Sequence, residues 1–411
     1  MFSNNLIHKY KYLDEVHVKR WELRIRVSGF QVFKDETSFS RRVLRAWRNG
    51  YWLIRIGPLV SGKHFLSESY ERIYKVGGVS FSSATPVNIS YQVGEPSTQA
   101  QIDEFINEIN DLIPNTGKPV QLFFRYTRER KRMFNSDGSD VCAEHNYYTL
   151  LLESNNMWCE VSTTSIKSLK TWAEVKVVDF ITHVKNFEKA RIFNPVYKGS
   201  VFDVVLDPDA TALLLHTLVK IQSQLEFKTR KVLGKKLLGN LSIYDDPFIN
   251  WSTGYRLVDD EGFKTRLKKL VEDGVVIDVL ETRWTTHRGE GGGNAVGIFT
   301  PPMPGTSTLV VKKGDWKLDE IIEDIKSGFI VYGAKGIFLR DSSIELFPQI
   351  AYYIERGEEK TPVKLHSIVI HPYFLKDILS ISRKRNYSSI MVENYYISAI
   401  TPYIRLKAVV R

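Results

Sequence analysis

What the chain lacks narrows the field first. Its two cysteines, Cys142 and Cys159, cannot make a disulfide framework, and their spacing fits no zinc knuckle. They read as ordinary buried thiols. No apolar run approaches the ~18 residues of a membrane-spanning helix. The opening MFSNNLIHKYKYLDE carries no apolar core of the signal-peptide kind. A cytoplasmic protein without membrane contact is the expectation. The common catalytic signatures are missing as well: no GxSxG elbow, no GxxxxGKS/T phosphate loop, and no GxGxxG following a strand. Nor is there an internal repeat or a low-complexity tract.

What is present suits a sizeable folded protein. At 411 residues the chain exceeds one ordinary core, so two domains are expected. Aromatic residues make up 12% of it, which argues against disorder. The net charge of +10 could serve a polyanionic partner, but acidic and basic residues are interleaved. Two basic clusters stand out, RERKR at Arg128–Arg132 and KTRKVLGKK at Lys228–Lys236. Neither is strongly interleaved with stacking aromatics, so both read as solvated faces, with nucleic-acid contact as the alternative.

In chain order, EVHVKRWELRIRVSG alternates like a strand, and RRVLRAWRNGYWLIRIG places Asn49-Gly50 between two aromatic-rich arms. That dipeptide between alternating residues predicts a hairpin. Pro96-Ser97-Thr98 opens a helix with Ile102, Phe105, Ile106, Ile109 and Ile113 on one face, stopped by Pro114. Two strands follow around a turn at Ser136–Gly138, then a strand over WCEVSTTSI, then a helix over Val175–Phe193. Residues 1–198 thus read as an α+β domain with a mainly antiparallel sheet. Residues 199–411 read as a β-rich domain opened by a strand and a long helix, with shorter helices around Leu318–Ser327 and Tyr373–Ser382. The fold class is α+β.

The stretch Val201–Lys228 organises this second half. Asp207 is a good N-cap, Pro208 sits where its missing N–H is harmless, and Asp209 complements the helix dipole. Leu214, Leu218, Ile221 and Leu225 recur at helical spacing and predict a core-facing stripe. His216 on this helix is the candidate start of a metal site. Elsewhere, EGGGN at Glu290–Asn294 could cradle an anion but reads rather as a mobile surface loop. The acidic segments Asp245-Asp246-Pro247 and Asp259-Asp260-Glu261-Gly262 fit no EF-hand spacing and read as turns.

Taken together and in order, these elements resemble the TldD/PmbA family, often labelled modulators of DNA gyrase. The resemblance runs through VVLDPDATALLLHTL (Val204–Leu218), DDP (Asp245–Pro247), LVDDEG (Leu257–Gly262), VEDGVV (Val271–Val276) and GGGNA (Gly291–Ala295). It continues through STLVVKKGD (Ser307–Asp315), SGFIVYGAKG (Ser327–Gly336) and YIERGEEKTPV (Tyr353–Val363). The chain departs from the family at Thr308, where many relatives have asparagine, and at DSSIELFP (Asp341–Pro348), in place of a GDFS-like stretch.

In the catalytic branch, the resemblance implies a zinc protease with two histidines of an HExxxH helix, a glutamate base and a cysteine near the C-terminus as its machinery. On this chain the first histidine falls on His216, the glutamate on Thr217 and the second histidine on Ile221. No cysteine follows Cys159. The implied member is therefore a TldE-like subunit without catalytic residues or a metal of its own. His216, Thr217 and Ile221 would be degenerate active-site positions, with His366 and His371 as the only spare imidazoles considered for a rescued site. The resemblance further implies a TldD-like partner that holds the zinc, a heterodimer acting on unfolded or short peptides, and Gly291, Gly292, Gly293 and Asn294 as a peptide- or partner-contact loop. A homodimer formed in the partner's absence and a basic, nucleic-acid-associated binding protein are the alternatives.

Overall fold

The computed structural model describes residues 10–29, 31–60, 68–77, 81–113, 119–193, 199–286, 291–392 and 395–411. Alternating residues and tight turns build the first sheet. Its strands are β1 (Tyr12–Ser28), β2 (Gln31–Arg48), β3 (Tyr51–Pro58), β4 (Tyr70–Lys75), β5 (Asn88–Val93), β6 (Gln121–Asn135), β7 (Asp140–Ser154) and β8 (Met157–Thr163). They lie in the order β4-β3-β2-β1-β6-β7-β5, with β8 also on β7, and only the β5–β7 pair is parallel. The expected hairpin is there. Asn49 and Gly50 have φ of 48° and 80°, which closes a two-residue loop between paired Arg48 and Tyr51.

Strand β1 serves two cores. Tyr12, Val16 and Val18 enter one apolar cluster with Trp47, Trp52, Val258 and Trp284. Leu23, Ile25 and Val27 enter another, from the opposite face of the same strand. Even-numbered residues point to one core and odd-numbered residues to the other, with an unbroken register against β2. The long hairpin therefore bridges two packing layers without a bulge.

Helix α1 (Gln99–Asp111) begins where Pro96–Thr98 was expected to open it, with a capping box between Thr98 and Gln101, and buries Ile102, Phe105, Ile106 and Ile109. Pro114 lies outside the described residues. Helix α2 spans Ile166–Phe187, starting nine residues before the predicted Val175 and ending six before the predicted Phe193, because Arg191–Ile192 pairs as a strand. Ser165 caps it by accepting from the Ser168 amide, and Leu169 and Ala173 extend the buried stripe of Val177, Phe180, Ile181 and Val184. This stripe packs between the first sheet and one face of the second.

The second sheet uses β9 (Arg191–Ile192), β10 (Val201–Leu206), β11 (Ile243–Asp245), β12 (Lys268–Glu272) and β13 (Val275–Val276). A separate ribbon pairs β14 (Ala295–Val296) with β15 (Met303–Pro304). The remaining strands are β16 (Thr308–Val311), β17 (Ser327–Arg340), β18 (Ser343–Glu355), β19 (Glu358–Lys364), β20 (Ile368–Ile370), β21 (Ser380–Val392) and β22 (Tyr395–Val410). Near the middle of this sheet, β10 pairs parallel with β17 and antiparallel with β22. Both faces of β10 are covered: Val204 and Leu206 meet one core, Val205 the other. That explains the unbroken VVL run, each residue adding about 1.5–3 kcal/mol by burial.

Helix α3 (Pro208–Thr229) lies on the second sheet, against β17 and β22. Asp207 caps it as expected, accepting from the Ala210 amide at 2.8 Å. The predicted stripe is only partly correct. Leu214 and Leu218 are buried, Ile221 is half-buried and Leu225 is 44% exposed. Small residues let the first four turns sink almost all round, with Ala210, Ala212, Leu215, Val219 and Ser223 buried too. Periodicity shows which residues could be covered, but not how far the covering sheet extends. The later helices are shorter than predicted, α4 at Leu318–Glu323 and α5 at Pro372–Leu375, because β17 and β21 begin at Ser327 and Ser380.

Candidate functional site

The motif segments of the second half converge around α3. His216 is 5% exposed, and its Nδ1 lies 3.1 Å from Thr306 Oγ1. Burial, aided by Lys220, pushes the imidazole pKa down to about 3, so the ring is neutral in any ordinary buffer. The next residue, Thr217, donates its hydroxyl one turn back to the Leu213 carbonyl at 2.9 Å. Ile221 offers only hydrocarbon.

Behind Thr306, three of the sequence elements are tied together by buried polar groups. Asp245 accepts from the Ser307 amide at 2.6 Å and from Asn294 Nδ2 at 2.7 Å. Lys268 donates to Asn294 Oδ1 and to the Gly292 carbonyl. Arg256 donates to Ser307 Oγ and the Thr306 carbonyl. Thr308, the departure from the family pattern, is buried and shares a 2.7 Å hydrogen bond with Ser252.

Asp259 is the hub that the sequence reading missed. Its Oδ1 accepts from the Glu261 and Phe263 amides, each at 2.9 Å. Its Oδ2 accepts from the Gly293 amide at 2.8 Å and the Ala295 amide at 3.0 Å. Burial pushes this carboxyl upward, and the amides work against that push. The DDEG segment is therefore a carboxylate-centred clamp and not a calcium loop. An Asp three residues before a glycine in a turn-rich segment, as Asp259 stands before Gly262, is the Asx-turn signal that the sequence offered.

The clamp corrects the expectation for the glycine segment. Gly291, Gly292, Gly293 and Asn294 are all buried, so they do not form a mobile surface loop. A Cβ on Gly291 would lie 1.9 Å from Thr286 Oγ1, and Gly293 has a φ of 86°. The glycines are needed for close approach and a left-handed bend. Gly289 and Glu290 lie outside the described residues.

These residues do not fit a zinc ion. The donor set around α3 holds one imidazole beside a threonine and an isoleucine, where a zinc site needs three or four ligands. Cys142 and Cys159 sit on β7 and β8 of the first sheet, and burial pushes the Cys159 thiol up to about 12. His366 and His371 are exposed, and His371 Nδ1 lies 2.8 Å from Ser343 Oγ. Among the described residues no group of three or more His, Cys, Asp or Glu side chains is placed to hold a metal.

Residues 198–410, more than half of the chain, match the family described as the PmbA/TldA metallopeptidase C-terminal domain. The chain belongs to the PmbA/TldD family. It is similar to a metalloprotease of Methanocaldococcus jannaschii, at 30% identity over 185 residues, 40% of this chain and 39% of that protein. A zinc metalloprotease TldD homolog of Saccharolobus solfataricus is 24% identical over 276 residues, 63% of this chain and 62% of that protein. The matches thus span less than two thirds of each relative's length. In structure, TldE from Thermococcus kodakarensis shares the fold, with a TM-score of 0.71 at 18% identity over 99% of this chain and 98% of that one. The α+β, sheet-rich architecture is that of the PmbA/TldD family.

The basic cluster on β6 is largely neutralised. Glu129 accepts from Arg20 at 2.9 Å, Lys131 pairs with Asp260 at 2.5 Å, Arg130 with Glu144 at 3.3 Å and Arg132 with Asp140 at 2.8 Å. It does not form a bare cationic stripe. No described helix is long and apolar enough to cross a membrane.

Proposed function

We propose that this chain is a non-catalytic, TldE-like subunit of a heterodimeric zinc metalloprotease that acts on unfolded or short peptides. In this reading the zinc, the catalytic base and the metal ligands belong to a TldD-like partner. One observation carries it: the helix that would bear the metal motif is intact in its capping and packing, but presents His216, Thr217 and Ile221, with the histidine on Thr306 and the threonine on its own backbone. The framework is kept where the chemistry is not. Membership of a metallopeptidase family supplies the rest of the support.

Purified alone, the chain should hold no stoichiometric zinc and cleave no peptide. Co-expressed with a TldD-like protein that carries an intact HExxxH, it should elute with it as a one-to-one complex that hydrolyses unstructured peptides. Zinc near one per chain in the isolated, untagged protein would overturn the reading, as would failure to associate with any such partner.

A further inference from the structure

The neutralisation along β6 is incomplete at one place. Directly opposite residues of paired strands share a face, so Trp21, Lys19 and His17 of β1 stand beside Arg128, Arg130 and Arg132 of β6. On their other side stand Ser38, Ser40 and Arg42 of β2. Leu23, Ile25 and Val27 continue this face into the core beneath the helices, but from Trp21 back to Glu15 it is open. Two adjoining hollows lie there, of about 460 Å³ and about 400 Å³, with Lys19 and Arg130 on the walls of both. Together they make a trough about 20 Å long, room for about six extended residues.

The charges in the trough do not balance. Glu15 is taken by His17 at 2.6 Å and by Arg42 at 2.9 Å, and Arg132 is taken by Asp140 at 2.8 Å. Arg130 and Glu144 meet only at 3.3 Å, with both side chains well exposed, so solvent screens that pair. Lys19 and Arg128 are exposed and meet no carboxylate among the described residues. Arg130 lies opposite the first and two residues from the second. Trp21 closes the end of the trough, its indole donating to Glu36 at 3.3 Å.

From this arrangement we infer that the trough binds an acidic stretch of polypeptide in extended form, with carboxylates on alternate residues at Lys19 and Arg128. Alternate residues of an extended chain lie about 6.7 Å apart, near the roughly 7–8 Å between diagonal positions on paired strands. A nucleic-acid strand fits less well. Glu15, Asp140 and Glu144 beside the cations repel a continuous line of phosphates. Aromatic faces for stacking bases are also taken: Trp21 is edge-on to Tyr126 at 5.5 Å, and Arg132 covers Phe134 at 4.6 Å. Neither zinc nor a catalytic partner enters, so the trough stands apart from the subunit assignment.

Fluorescence anisotropy on the full chain, with dye-labelled hexapeptides of alternating Glu-Ser, Gln-Ser and Lys-Ser, tests this. The Glu-Ser peptide should bind saturably, and more weakly as salt rises, while the other two should not bind. Lys19→Glu and Arg128→Glu should each weaken binding about tenfold or more. Lys75→Glu on β4 makes the same charge change outside the trough and should leave binding within about twofold of the parent chain. Circular dichroism checks that each variant is folded, and Lys19→Gln and Arg128→Gln replace any that is not. No binding of the Glu-Ser peptide, equal binding of the Gln-Ser peptide, an equal loss in Lys75→Glu, or unchanged binding in both trough variants overturns the inference. Tighter binding of a labelled oligothymidylate, lost in the same variants, overturns it too and makes the trough a nucleic-acid site.

Discussion

His216 Nδ1 and Thr306 Oγ1 meet at 3.1 Å, joining the long helix to the segment that precedes β16. The imidazole that a metal would need is committed to a neighbour from a different element.

Restoring one missing group should therefore not restore a site. Thr217→Glu is expected to bind no stoichiometric zinc, and Thr217→Glu with Ile221→His should still fall short, because no third ligand is at hand. Metal analysis of the purified variants checks both.

Removing the clamp should cost more than removing an average polar residue. Asp259→Ala strands four buried or half-buried amides at once, each worth about 1–3 kcal/mol when left without a partner. Some will find water, so a net loss of at least about 3 kcal/mol is expected in urea unfolding. A loss below about 1 kcal/mol would mean that the glycine segment is held by something else.

Arg45 and Asp14 form a fully buried pair, and Arg45 also donates to the Gly297 and Asp260 carbonyls across the sheet boundary. Arg45→Ala should destabilise the chain by about 3–5 kcal/mol, since it leaves an uncompensated buried carboxylate. Arg45→Lys should rescue little of this, because an ammonium cannot reproduce the guanidinium fork. Chemical denaturation of the three proteins gives the ordering.

Stability should fall on both sides of neutrality, for different reasons. Burial pushes His216 to about 3 and His145 and His183 to about 4, so the unfolded chain binds more protons below its ordinary histidine pKa of about 6.5. Stability present above that value is lost as pH falls toward 4. Glu261 behaves oppositely: burial and Asp259 push it up to about 8, so its contribution is full below an ordinary glutamate pKa and is lost as pH rises through 8. Glu261→Gln should remove the fall in stability that this carboxyl causes between an ordinary glutamate pKa of about 4.3 and 8, flattening a melting-temperature profile across that window and leaving its slope above 8 unchanged.

Local chemistry was legible in the sequence where a short range of residues decided it. The Asn49-Gly50 hairpin, the helix opening at Pro96–Thr98, the Asp207 cap and the apolar face of α1 all depend on neighbours within a few positions. Helix α2 was read too far along the chain at both ends: its first turns, around Leu169 and Ala173, follow directly on a strand with Ser165 unrecognised as the cap, and its apolar pattern ran on into the short strand Arg191–Ile192. The burial of Gly291–Asn294 was out of reach for another reason. It is set by Asp259 and Asp245, more than thirty residues away, and a glycine-rich stretch looks the same whether clamped or free. The order of the motif elements gave away the family, while the network joining them appears only in three dimensions.

The position of β22 reaches beyond the folded state. Residues 395–410 pair with β10, β16, β20 and β21, so they complete the middle of a sheet whose first central strand lies about two hundred residues earlier. Until that segment leaves the ribosome, Val204, Val205 and Leu206 keep one open edge, and the core above them has no floor. A nascent chain of this architecture carries an open sheet edge while the roughly two hundred residues between β10 and β22 are made, and such unpaired edges are where aggregation starts.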